Sequence, residues 1–175
     1  MDPRVHHLQS EAEYVSPAEL QKLLIDFHRE TLELFNTRQV NSQSVAAYDA
    51  NNGYQQVLGR QEVHLRWLSD AIADLGGAAV ELPPPQVTGK TSRESARSII
   101  ERDAAGQQAF IDRWTPRIPT VTNARNRKML ELILGEMKEH LRVLQQAAES
   151  RADLLGRHSD GKVLRGTVLA VRPKN

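Results

Sequence analysis

The sequence predicts an all-α fold, an antiparallel four-helix bundle with a long connection between its second and third helices and a C-terminal extension. Two observations carry this expectation. Apolar residues recur at spacings of three and four through four segments, and the stretches between those segments are rich in glycine, proline and short polar residues. No strand-helix-strand alternation interrupts the pattern, so packing four amphipathic stripes against one another is the economical way to bury them.

The first helix opens at Ser16-Pro17-Ala18-Glu19, where Ser16 can accept from free backbone amides, Pro17 suits the first helical position and Glu19 completes a capping box. Leu20, Leu23, Leu24, Phe27, Thr31, Leu34 and Phe35 share its apolar face, and it is expected to reach about Val40. Residues 41–44 are poor helix formers and make a short link. The second helix carries Tyr54, Val57, Leu58, Gln61, Leu65, Leu68, Ile72 and Leu75, then stops at Gly76-Gly77. Leu82-Pro83-Pro84-Pro85 must cross in extended form. The third helix is expected from Thr91-Ser92, with Glu94 completing a second capping box, through Ile99, Ile100, Asp103, Gln107, Phe110 and Trp114 until Pro116. The fourth starts near Thr122-Asn123 and follows Leu130, Ile133, Met137, His140, Leu141 and Leu144, reaching as far as Leu155. This divides the chain into an arm (1–15), a bundle (16–157) and a tail (158–175), whose β-prone and basic residues suit equally a disordered extension, a short strand laid on the bundle or a peptide that docks a partner.

Composition narrows the function. The formal net charge is +1, with few aromatics and no long basic block, which argues against a dedicated nucleic-acid binder. There is no cysteine, which excludes disulfides and thiolate chemistry and suits a cytoplasmic protein. No stretch approaches the roughly 18 apolar residues of a membrane helix, and Met1-Asp2-Pro3-Arg4 lacks a signal-peptide core. Phosphate loops and Ser-His-Asp spacings are also missing, so hydrolase and nucleotide-binding classes fall away.

The candidate chemistry lies in two passages. Gln61-Glu62-Val63-His64 and Met137-Lys138-Glu139-His140 each place two residues three apart on an apolar stripe, as the Glu-x-x-His motif of di-metal carboxylate bundles does. With Leu75-Gly76-Gly77 and Leu132-Ile133-Leu134-Gly135-Glu136, these passages resemble the ferritin-like superfamily, bacterioferritin and rubrerythrin in particular, across residues 16–155. The resemblance implies His64 and His140 as metal ligands, Asp103 in place of a third-helix glutamate, and His28 or Glu30 from the first helix. It implies iron, or else zinc or manganese, as the metal, and a homo-oligomer such as a dimer. Gln61 and Met137 depart from it, standing where bridging glutamates belong. Neutral side chains there cannot offset two nearby divalent ions, so the metal site is expected to be reduced or lost. Glu62 and Glu136 sit one position away and would need helix rotation or a π-bulge to point inward.

The leading expectation is therefore a structural, interaction or stress-related bundle without an intact di-metal centre. The competing expectation is an iron-dependent oxidase or peroxide-consuming protein with an unusual ligand set led by His64, His140, Asp103 and Glu30; a separate one is convergence of His28, His64 and His140 with Asp103 or Glu30 on one zinc, iron or copper ion. The blander alternative is that the histidines and Gln61 satisfy one another in a metal-free polar core. Tyr48, Tyr54, Trp67, Met129 and Met137 read most simply as packing residues. His6 and His7 form an adjacent pair in the arm.

Overall fold

Ser16 starts the first helix as its sequence implies. Its hydroxyl accepts from Glu19 N at 3.2 Å, and Glu19 Oε2 takes the Ser16 backbone N–H at 2.8 Å. In the computed structural model, which describes residues 16–83, 95–151 and 154, this helix (α1) spans Pro17–Asn41. A 3-10 turn over Ser42–Ser44 leads into α2, Tyr48–Asp74. Helix α3 spans Ala96–Trp114, a second 3-10 turn spans Ile118–Thr120, and α4 spans Ala124–Ala148. The described residues are thus all-helical, compatible with a helical bundle, and no helix among them is long and apolar enough to cross a membrane.

The chain leaves α2 where a left-handed residue is needed. Gly76 has φ +74°, and Gly76 and Gly77 N–H groups close back on Ala73 O and Ile72 O. Two boundaries differ from expectation. Helix α3 is capped by Ser95, whose hydroxyl accepts from Ser98 N, four residues beyond Thr91; residues 91–94 lie outside the described residues. Helix α4 ends at Ala148 instead of running on to Leu155, because Ser150 turns to φ 60°. The arm, the tail, the His6-His7 pair and residues 84–90 of the crossover also lie outside the described residues.

Helix α1 packs on α2 and α3, and α4 packs on the same two. Gln21 Nε2 donates to Leu75 O, Asn51 Nδ2 to Ser42 O, and Arg125 pairs with Asp74, which fixes where these helices meet. Leu24, Phe27, Leu68, Ile72, Leu130 and Ile133 are almost fully buried. Phe27 meets Phe110 and Trp114 edge-on at 5.0 and 4.7 Å between ring centroids. On α2, α3 and α4, apolar residues flank a central polar stretch on both sides: Val57 and Leu68, Ile100 and Phe110, Ile133 and Leu144.

The Ser16 cap gives a simple check. Ser16→Ala should cost about 1 kcal/mol and lower the thermal midpoint by roughly 2–4 °C; an unchanged midpoint would mean that the α1 cap contributes nothing.

Candidate functional site

The central polar stretch is a layer to which every helix contributes. Arg38 of α1, Gln61 and His64 of α2, Asp103 and Gln107 of α3, and Met137 and His140 of α4 are all at most 6% exposed. Arg38 sits on the inward stripe, four residues after Leu34 and seven after Thr31, so its guanidinium is carried into the core. Its Nη2 donates to Gln107 Oε1, and Gln107 passes its amide to Met137 O at 3.0 Å. Burial lowers the Arg38 pKa to about 10, against the attraction of Asp103 and Tyr54, so the group stays cationic at neutral pH. The Asp103 carboxylate is shared: Tyr54 OH donates to Oδ2 and Asn41 Nδ2 to Oδ1, both at 2.7 Å. Burial first, then the Asp103 charge, push the Tyr54 phenol upward and keep it a donor.

A second assembly borders this layer between α2 and α4. Arg60 grips Glu136 with two hydrogen bonds, Nε to Oε2 at 2.8 Å and Nη2 to Oε1 at 2.6 Å. These bonds hold the Glu136 carboxyl below its ordinary range despite partial burial. An ionised carboxylate only accepts, so the 2.9 Å contact from His64 Nε2 fixes the proton there and leaves Nδ1 as a bare acceptor. Burial lowers the His64 pKa, with Glu136 opposing. The His140 ring lies 5.9 Å from that of His64 and 26° from parallel. Burial, then the Arg38 charge, then His64, lower its pKa to about 3, so His140 is neutral.

The expected ligands are thus distributed among different partners. His64 and His140 are neighbours, and Gln61 and Met137 are fully buried beside them in the layer. Asp103 is bound by Tyr54 and Asn41. Glu30 lies elsewhere, accepting from Trp114 Nε1 at 2.9 Å and pairing with Arg113 at 3.0 Å. His28 Nε2 donates to Ser69, whose own proton goes to Leu65 O. Among the described residues, no three His, Asp or Glu side chains stand together in a way that would hold a metal ion. Glu62 is exposed, whereas Glu136 reaches His64 from an α4 that is continuous α-helix with no π-bulge. Packing accounts for Trp67 and Met129, which lie against the core, while Tyr48 is 70% exposed.

Arg38, Gln107, Arg60 and Glu136 are the members that sequence reasoning did not assign to the site. Arg38 had a signal, its register with Thr31 and Leu34; Gln107 had one too, a glutamine at an inward place, as at Gln61. With two amides, a thioether and a guanidinium facing inward, the layer does not fit a pair of divalent cations. No family model, no curated protein and no solved structure matches the chain.

The buried histidines set a pH dependence. His140 titrates near 6.5 when unfolded and about 3 when folded, so the unfolded chain binds the extra proton between those values. Its contribution is complete above pH 6.5 and is lost as pH falls towards 3, at about 2 kcal/mol between pH 7 and 5. His28 and His64 shift in the same direction. Denaturant unfolding at pH 7 and pH 5 should therefore show a smaller loss in His140→Gln than in the parent chain; equal losses would place His140 in a solvated site.

Proposed function

We propose that this chain is a ferritin-like antiparallel four-helix bundle in which the Arg38 guanidinium has taken the place of metal as the positive charge at the centre. It works as a structural or interaction protein. The opposed senses of the helix pairings support the topology: Gln21 with Leu75 and Ser42 with Asn51 across α1 and α2, and Arg38 with Gln107 and Asn41 with Asp103 across α1 and α3. The absence of cysteine suits the cytoplasm. A homodimer contact along α4 would cover Leu132, which is 52% exposed.

The observation that carries the reading is the burial of Arg38 in the layer that the family motif would give to ions. A divalent ion within about 6 Å of a guanidinium is repelled by on the order of 5 kcal/mol at an effective dielectric constant of 20. Arg38 also occupies Gln107, and Asp103 is already committed to Tyr54 and Asn41. One observation favours the oxidase alternative: Glu136 orients His64 as carboxylates orient metal-bound histidines. Arg38 outweighs it, because its charge bears directly on His140.

Elemental analysis of protein purified without a histidine tag decides between them. The parent chain should carry only traces of iron, manganese and zinc, whereas an Arg38→Leu, Gln61→Glu, Met137→Glu variant should gain iron-dependent thermal stability. Stoichiometric metal in the parent chain, lost on His64→Ala with His140→Ala, would overturn the proposal.

A further inference from the structure

Among the described residues, the buried side-chain nitrogens and oxygens without a hydrogen-bond partner are Arg38 Nε and Nη1, Gln61 Nε2 and Oε1, and the Nδ1 atoms of His28, His64 and His140. All except His28 Nδ1 belong to the central layer. Orphaned buried polar atoms are rare because each gives up its bonds to water with nothing in return, at a higher cost when charged. Here they include two of the three nitrogens of a guanidinium that is 1% exposed, and of the others His140 stands near enough for that charge to act on its ring.

We propose that this layer is a binding site for one small monovalent anion of the size of chloride, nitrate or formate, held by Arg38 Nε and Nη1 with the Gln61 amide and His140 Nδ1 completing its shell. Charge decides the class. The carboxylate nearest in effect to Arg38 is Asp103, but its two oxygens accept from Tyr54 and Asn41. The guanidinium is therefore left with donors to satisfy and no bonded counter-charge, and an anion supplies acceptors and charge together. Gln61 lies one helical turn before His64 on the inward face of α2, and its amide can turn its nitrogen towards the anion. His64 Nδ1, a bare acceptor, takes no part. Size follows from enclosure: Arg38, Gln61, Met137 and His140 are each at least 94% buried, leaving no open mouth for a larger ligand. Entry then requires transient opening of the bundle, so binding equilibrates slowly.

The inference rests on the arginine-centred reading of the layer, and its test separates the two. The full chain is incubated overnight at constant ionic strength in isethionate, which is too large for the layer, or in isethionate partly replaced by chloride, nitrate or formate. Thermal unfolding is then recorded. A saturable rise in midpoint is expected for at least one small anion, weakened about tenfold in affinity by Gln61→Leu, the equivalent of one hydrogen bond, and abolished by Arg38→Met. Gln61→Leu keeps the guanidinium, so the test survives if Arg38→Met does not fold. Crystals grown in bromide should show an anomalous peak beside Arg38. A shift that never saturates and is equal in parent and Gln61→Leu chains, with no bromide peak, would overturn the anion site and leave water as the layer's solvent. Metal content of the same samples distinguishes the failures: stoichiometric metal overturns the arginine-centred reading itself, whereas metal-free protein indifferent to anions overturns only the inference.

Discussion

The burial of one positive charge, that of Arg38, constrains everything around it. A cation in the interior of a helical protein is tolerated only where dipoles and counter-charges are already positioned for it. Here each neighbouring helix contributes part of that environment. Helix α3 supplies Gln107 directly and Asp103 at one remove, α2 holds Asp103 in place through Tyr54, and α4 is tied in by its Met137 carbonyl. A one-residue slip of α3 would take Gln107 from Arg38, and a slip of α2 or α4 would break the Tyr54–Asp103 or Gln107–Met137 bond behind it. The layer therefore fixes register, while the apolar blocks to either side supply most of the stabilisation through buried area.

The outer assembly answers a different need. Arg60 and Glu136 are partly solvated, so their pairing contributes modestly to stability. Its effect on the interior is larger. By accepting the hydrogen bond from His64 Nε2–H, Glu136 selects one tautomer and leaves the Nδ1 lone pair buried. His64 and His140 then lie side by side without charge, next to a guanidinium that disfavours protonation of His140. Charge is concentrated on Arg38 and Asp103, and the remaining inward polar groups stay neutral.

How much of this was legible in the sequence depends on the range of the interaction. Helix starts at Ser16 and Asn123 and the stop at Gly76 follow from chemistry within a few residues, and they stand where the local pattern puts them. The start of α3 did not follow, because Thr91 and Ser95 are both competent caps and the sequence offers no reason to prefer the second. Periodicity placed Gln61, His64, Met137 and His140 inward, since facing is a property of a single helix. It could not say whom each residue meets. Glu30 goes to Trp114, His28 to Ser69 and Asp103 to Tyr54, all across helix boundaries that no spacing rule reaches. Arg38 stands in register with the apolar face, and only the rarity of buried arginine keeps a spacing rule from placing it there. The angular offset of Glu136 argues against an inward role, yet a glutamate at the flank of a stripe can span that offset with its own length.

The central claim, that Arg38 is buried as a charged group within the bundle, is tested most directly by nitrogen-detected exchange of arginine side chains. In an amide-resolved NMR spectrum of the nitrogen-labelled chain at neutral pH, one arginine Nε–H should exchange with solvent far more slowly than the rest and should vanish in Arg38→Lys. If every arginine Nε–H exchanges at the rate of a free side chain, or if the protected resonance persists in Arg38→Lys, the guanidinium is not at the centre of the fold.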